Sequence, residues 1–554
     1  MSTTDCQRCS KLTETITALR VQLREVVALS ELQKADLDRL REAQAQPQAN
    51  RAERAPSDAL QLGLGRILLE ETAAQAAEPS AVTEERAQAV AELEKVIDLK
   101  KTESGETKQK RKARPHGRRN LEFSTLPCET VMIQPTEVLE GDPDEFELVG
   151  EDLGFRLAYR PGSYVRVLLR QQKYKRKAPS GTRPEFVRGP LPESIWPSVM
   201  GDPSAIARIV VGKYADCLPL HRQETISARE GLVLPRSTQC DWLKAAHAIT
   251  SRIVDAMLDD AKRRAFCIAT DATGAPVRAK GQNALCHMFV LLADQDHVIF
   301  RHAAEHTSAS VKAILKGYRG YLLADAASVF DGLYLNGEVV EVGCWFHLRR
   351  YFWRAIATDP ERAYEALALI GRLFEIERAC RLLPLAERTS QRAAQAKPIL
   401  ALLDAWVARY RDKVDPRGPL DAAMGYYLNQ RSALRQFMKD GRLRLDNNRS
   451  EQALRHLVVG RANWTFFANE AGLSWYASFR SLIASSTLHG LNAQTYLEEI
   501  LRLGPHWPVN RVLELAPRYW ASTRAGLGDR HRAILRPPWE IARPSGRDAA
   551  VLAA

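Results

Sequence analysis

The middle of this 554-residue chain predicts a mixed α/β domain set between helical segments. Two observations carry that expectation. Between residues 263 and 343, short apolar runs rich in β-branched and aromatic residues alternate with helical spacing, and two of the runs end on an aspartate. On both sides, apolar residues recur at the three- and four-residue steps of helices. Hydrophobic residues make up 45% of the chain, enough for real cores, and its length is too great for one core, so several domains are expected.

The N-terminal segment, residues 1–45, places Leu12, Ile16, Leu19, Leu23 and Val26 in heptad steps that Leu37 and Leu40 resume. This predicts a self-pairing coiled coil; the alternative is an amphipathic helix packed on its own protein. Residues 46–120 read as a linker ending in a basic arm, with Arg111, Lys112, Arg118 and Arg119 placed to contact phosphates or simply to be solvated. Residues 121–190 alternate polar and apolar in short runs, which predicts a small β module; Lys175, Arg176 and Lys177 beside Tyr174 add a second basic patch. Residues 191–260 predict three helices, Ala205 to Tyr214, Leu220 to Glu230, and a third capped by Ser237 or Thr238. Helix, short turn with Gly231, helix is the arrangement of a helix-turn-helix DNA-binding region.

The period then changes. Strands are expected at Arg264–Asp271, Ala284–Leu292 and His297–His302, a helix at Ser308–Lys316, a strand at Gly320–Asp325, a short helix at Val329–Tyr334 and a strand at Glu338–Val342. That order is the order of the ribonuclease-H-like fold, a mixed sheet with helices on both faces. Its active site uses the ends of the first and fourth strands and a late helix. The core is therefore assigned to residues 261–343 and 441–490, interrupted by an all-helical insertion at 344–440. A helical tail closes the chain at 491–554. The fold class is multidomain α+β/α: coiled coil, helical DNA-binding region, and a ribonuclease-H-like catalytic core with an all-helical insertion.

Breaking or joining a phosphodiester needs charge neutralised on a crowded anion and an oxygen nucleophile activated. Two Mg²⁺ ions about 4 Å apart do both, and Mg²⁺ prefers carboxylate oxygens. Asp271, Asp325 and Glu451, from separate elements, are the candidate catalytic and metal-holding set, with Asp271 as the bridge because its strand lies at the sheet centre. Each has a structural alternative. Asp271 precedes Thr273-Gly274 and could end a strand in a turn, Asp325 could cap the next helix, and Asn448-x-x-Glu451 fits a capping box. Asp331 and Asp446 are the reserve acids.

Arg449, Arg455 and Arg461 flank or lie on the late helix and are candidate DNA contacts. Arg455, four residues after Glu451, shares its face, to hold a phosphate or to pair with Glu451 itself. Cys344 and His347 form a Cys-x-x-His pair with no second pair nearby, and the Cys-x-x-Cys pair Cys6 and Cys9 likewise lacks one, so zinc is not expected. Cys344 and His347 are assigned a structural or positioning role beside the metal site. Trp464, Phe466 and Phe467 could stack on an unpaired base, but core is the preferred reading.

The bulk numbers narrow the partner. A net charge of +12 favours a polyanion. With no run of about 18 apolar residues, no membrane span is expected. The polar N-terminus has no signal-peptide core, and nine scattered cysteines suit reduced thiols, so a cytoplasmic protein is expected.

Several segments together resemble the IS66 family of bacterial insertion-sequence transposases, the long TnpC-type protein. They are Lys213-Tyr214-Ala215-Asp216 with Leu218 to Gln223, Leu322 to Ala326, Cys344 to Arg350, Asp446 to Glu451, Gly460 to Trp464, and Trp507 to Arg511. The resemblance implies a DDE transposase, a metal-dependent polynucleotidyl transferase, with Asp271, Asp325 and Glu451 on its three acid positions. It implies two Mg²⁺ or Mn²⁺ ions and double-stranded DNA as terminal inverted repeats and target. It also implies accessory proteins of the same element and a place on the bacterial nucleoid. The family usually carries paired cysteines between the coiled coil and the helical region; here Cys128 stands alone and the β module reads as a degenerate zinc-finger-like one. Two other readings remain: a ribonuclease-H-like nuclease that never joins strands, and a catalytically decayed copy that binds DNA as a repressor.

Overall fold

Strand formation is densest where β-branched, aromatic and leucine residues crowd. In the computed structural model these runs become a five-stranded mixed sheet. The structure describes residues 201–536 apart from 230–231 and 280–282, parts of 60–71, Tyr164, and the short antiparallel pair β1 (Lys173–Lys175) and β2 (Phe186–Arg188). The coiled-coil expectation, the basic arm with Arg111, Lys112, Arg118 and Arg119, the residues Arg176 and Lys177, and the last part of the tail lie outside the described residues. Lys175 falls in β1.

The helical region comprises α1 (Pro203–Tyr214), α2 (Leu220–Arg229) and α3 (Arg236–Arg264). The sheet follows as β3 (Cys267–Val277), β4 (Ala284–Ala293), β5 (His297–Ala303), α4 (Ser308–Ile314), β6 (Gly320–Leu323), α5 (Asp331–Tyr334) and β7 (Val339–Val342). Its order is β5-β4-β3-β6-β7, with β3, β4 and β5 antiparallel and β6 and β7 parallel to β3. This mixed order, with β3 central, is compatible with a ribonuclease-H-like core.

One boundary moves in a way that matters. Thr273-Gly274 is not a turn: β3 continues past Asp271 to Val277, paired with β4 all the way to Val277↔Ala284. Ladder pairing along a long partner overrides local turn propensity. Asp271 therefore sits within the strand.

The sheet carries a core on each face. Ile268, Leu322, Val290 and Phe300 belong to one cluster, which also holds Leu243, Ile253 and Val254 of α3 and Ile206 and Val210 of α1. The helical region thus shares its core with the sheet, and Trp242 is packed so closely that a Cβ on Gly201 would meet its ring at 2.8 Å. Helix α11 (Glu470–Leu488) lies over the edge strand β5. The backbone N–H groups of Phe300 and Val298 donate to the hydroxyls of Ser481 and Ser485 at 2.7 and 3.0 Å, so buried strand amides with no strand beside them are satisfied. Helix α12 (Ala493–Leu503) packs on α1, and its Arg502 donates twice to Asp202, the N-cap of α1.

The other face is covered by the helical insertion, α6 (Trp345–Ala355), α7 (Pro360–Cys380), α8 (Leu385–Tyr410) and α9 (Pro419–Leu434). Leu323 and Val342 of the sheet join Trp345, Phe352, Leu369, Ile370 and Trp406 in this second cluster, with Leu64 and Ile67 from far upstream. Trp345 Nε1 donates to the Leu434 carbonyl at 2.7 Å, so its one polar atom is satisfied inside the core.

Arg392 is fully buried here. Its guanidinium donates to the carbonyls of Phe437 and Leu443 at 2.8 and 2.9 Å and pairs with Glu377 at 2.9 Å. It thereby shapes the turn that leads into the late helix. Arg392→Ala leaves Glu377 and several buried carbonyls without that donor. The expected loss is about 3–5 kcal/mol of stability, read as a lower midpoint in urea unfolding.

Among the described residues no helix is long and apolar enough to cross a membrane.

Candidate active site

The parallel pairing of β3 with β6 sets the first geometry. Its last pair is Ala269↔Leu323. Two residues on stand Asp271, still inside β3, and Asp325, just beyond the end of β6, so both follow the same stretch of paired strand. By the two-residue period of a strand, Asp271 follows Cys267 and Ala269, which pack against the insertion-side cluster. The acids therefore emerge on the face that carries the insertion.

Glu451 arrives from α10 (Asn448–Trp464), in its first turn. The start of this helix is tied to β3 by Asn447, whose Nδ2 donates to the Thr270 carbonyl at 2.7 Å. It is tied to the insertion by the Asn447 N–H, which donates to Cys344 Sγ at 3.3 Å, and by the Trp345 N–H, which donates to the Leu445 carbonyl at 3.1 Å. Farther along, Arg461 donates to the Gly274 carbonyl, and Phe467 N–H donates to the Pro276 carbonyl at 2.9 Å. The late helix is thus fastened to β3 from the residue before Asp271 to the strand's end.

The three acids are electrostatic neighbours. Asp271 is pushed up to about 7, first by burial and further by the charges of Asp325 and Glu451; the Ala272 N–H, 2.8 Å from its Oδ1, and Arg350 pull the other way. The Glu451 carboxylate lies 3.6 Å from His347 Nε2 and 3.9 Å from Arg350 Nη2, both on α6. Burial holds His347 below the usual imidazole range, opposed by Glu451 and Asp325. Cys344 is buried, and its thiol is pushed up to about 12 by that burial. Its sulfur accepts the Asn447 N–H.

The structural alternatives fare as follows. Asn447, not Asn448, is the N-cap of α10 and makes no side-chain capping bond, so Glu451 is not the second half of a capping box. Asp325 caps nothing: the short 3₁₀ turn Ser328–Phe330 begins after Ala327. Of the reserve acids, Asp446 accepts the Asn448 N–H at 3.1 Å and Asp331 opens α5.

Among the described residues no three His, Cys, Asp or Glu side chains stand together as a ready-formed metal cluster. The donor chemistry nevertheless suits a hard divalent ion. These are oxygen donors, mutually repelling, one of them half-buried and kept from ionising freely, and a cation among them relieves that repulsion.

Arg449 is half-buried and Arg455 exposed, while Arg461 is spent on the Gly274 carbonyl. Phe467 is core, and Lys213 Nζ sits 4.7 Å from the Trp464 ring. A Cβ at Gly460 would come within 2.1 Å of that ring, so glycine is required there. Phe466 alone of the three aromatics is exposed, at 37%. Asn447 was not foreseen: a buried asparagine is invisible to propensity, and its only signal was the doubling Asn447-Asn448 ahead of the helix.

A mixed sheet with Asp271 inside its central strand, Asp325 just past the neighbouring strand and Glu451 in the first turn of a late helix is compatible with a ribonuclease-H-like core. Residues 198–474 match the Transposase IS66 family, and the chain belongs to that family. It is also similar to three uncharacterized proteins of Sinorhizobium fredii (strain NBRC 101917 / NGR234). The protein y4qI is 27% identical over 389 residues, 67% of this chain and 71% of the relative. The protein y4hP is 26% identical over 362 residues, 61% and 65% of the two chains. The protein y4jD is 23% identical over 359 residues, 61% and 70%.

Proposed function

We propose that this protein is a DDE transposase that binds the ends of a bacterial insertion sequence and catalyses metal-dependent DNA cleavage and strand transfer. The observation that supports the reading is that Asp271, inside the central strand, feels the charges of both Asp325, just past β6, and Glu451, on the late helix, though the three are distant in sequence. Asp271, Asp325 and Glu451 would hold divalent ions, Mg²⁺ or Mn²⁺. Such ions, when bound, neutralise the phosphate and lower the pKa of the attacking oxygen's proton.

The chain's own residues do the rest. His347 and Arg350 hold Glu451 in place before the ions enter. Arg455 and Arg449 present positive charge at the helix that carries Glu451, to the phosphates on either side of the cut. In the first step a water oxygen attacks phosphorus at the element end and the bond to the 3′ oxygen breaks, leaving a free 3′-hydroxyl. In the second, that hydroxyl attacks a target phosphodiester in line, and the target's own 3′ oxygen leaves. The coiled coil pairs subunits, the basic arm and the patch at Lys175 to Lys177 hold DNA, and accessory proteins of the element assist.

The test is a strand-transfer assay with pre-cut ends, target DNA and Mg²⁺. Joined product is expected. Hydrolysis without joining turns the reading into a nuclease. Binding that falls steeply with salt, with no metal-dependent product, turns it into a DNA-binding repressor.

A further inference from the structure

We propose that Asn447 is the positioning residue of the carboxylate site, setting the separation of Glu451 from Asp271; this rests on the three-acid reading above. Asn447 is 1% exposed. Its Nδ2 donates to the carbonyl of Thr270, the residue before Asp271, at 2.7 Å across 177 positions of sequence. Its Oδ1 accepts from the hydroxyl of Ser450, the residue before Glu451, at 2.6 Å. Its backbone N–H donates to Cys344 Sγ across 103 positions, three residues before His347. A single side chain therefore bonds the residues immediately ahead of two of the three acids, and its backbone reaches the segment that carries His347, which faces Glu451 at 3.6 Å.

The place it fills is specific. Thr270 lies one residue past the last β3–β6 pair, Ala269↔Leu323, where the parallel ladder has run out. The Asn447 amide takes over at that point, so the β6-side edge of β3 is held by the helix start while β4 still pairs with its other edge. Only a side chain with a donor on one branch and an acceptor on the other satisfies both ends. Aspartate would set a carboxylate against the Thr270 carbonyl, and glutamine is a methylene too long for a buried site. Thr270, Cys344, Asn447 and Ser450 are all at most 1% exposed, so water cannot replace a lost bond, and the arrangement is held to one geometry. Outer groups of this kind orient the residues that touch a metal, and losing them weakens binding by about 10- to 100-fold.

The experiment compares the full-length protein with Asn447→Ala, Asn447→Asp, Ser450→Ala and Glu451→Gln. Mn²⁺ binding is read directly by electron paramagnetic resonance, and cleavage of end DNA is read against Mn²⁺ concentration. Asn447→Ala and Asn447→Asp are expected to raise the Mn²⁺ dissociation constant about 10- to 100-fold with DNA affinity retained. Cleavage should be lost at low Mn²⁺ and largely recovered at saturation. Ser450→Ala, which only releases the Oδ1 end, is expected to raise it about 2- to 10-fold.

A lowered melting temperature with Mn²⁺ affinity within twofold of the parent in both Asn447→Ala and Ser450→Ala overturns the proposal and leaves a purely structural asparagine. Should Asn447→Ala fail to fold, Ser450→Ala decides by the same criterion. If Glu451→Gln binds Mn²⁺ and cleaves like the parent, or the parent binds no Mn²⁺, the three-acid reading itself is what fails.

Discussion

Glu451→Gln lowers metal-dependent cleavage and strand transfer by at least about 10³-fold, roughly 4 kcal/mol of transition-state stabilisation, while end-DNA binding stays within about twofold. The substitution keeps size and shape and removes one negative charge. The fold tolerates it for three reasons. Glu451 is only partly buried, it is not part of a capping box, and Asn447 rather than Glu451 fastens the helix start to β3. The loss of a carboxylate from the first helical turn costs about 0.3–1 kcal/mol against the helix dipole. Gel-shift binding alongside a cleavage time course checks the prediction, and cleavage at the parent's rate would remove Glu451 from the site.

Asp271→Asn abolishes turnover by a similar factor but stabilises the metal-free protein at neutral pH. The sign follows from the acid's position. Its carboxyl in the fold is pushed up to about 7, first by burial and then by Asp325 and Glu451, whereas in the unfolded chain it titrates near about 3.9. Between these two values the folded state holds a proton that the unfolded state has released. Stability therefore falls as pH rises from about 4 to about 7 and levels off above that. Asparagine has no such proton, so the variant loses this slope and gains on the order of 2–4 kcal/mol at pH 8. Urea unfolding of both proteins at pH 5 and pH 8, without divalent metal, reads it. An equal change from pH 5 to pH 8 in both proteins would show that Asp271 is not the strained group.

Much of the sheet was legible from local pattern. The runs beginning near Cys267, Ala284, His297, Gly320 and Val339 are strands in the expected order, because each buries β-branched, aromatic or leucine side chains and is bounded by turn or helix residues. The helix Pro360–Cys380 was legible for the same reason, from the helical spacing of Leu367, Ile370 and Leu373. The extension of β3 to Val277 was not legible. Thr273 and Gly274 have turn chemistry, and only the ten-pair ladder with β4 holds them extended. The helices before the sheet were legible as helices, but their shared core with it was not: a helix-turn-helix pattern carries no record of what α3 packs against.

The residues alone determined the sign of the net charge, the order of the strands and the motifs that place the chain in its family. Tertiary structure decided what those residues do to one another. The parallel register of β3 and β6 runs up to two residues before Asp271 and Asp325, and the Asn447 amide ties the start of the Glu451 helix to Thr270. Neither could be read along the chain, because strand register and a buried hydrogen bond spanning 177 positions are properties of pairing in space, where the energy of a group depends on the neighbours that exclude its water.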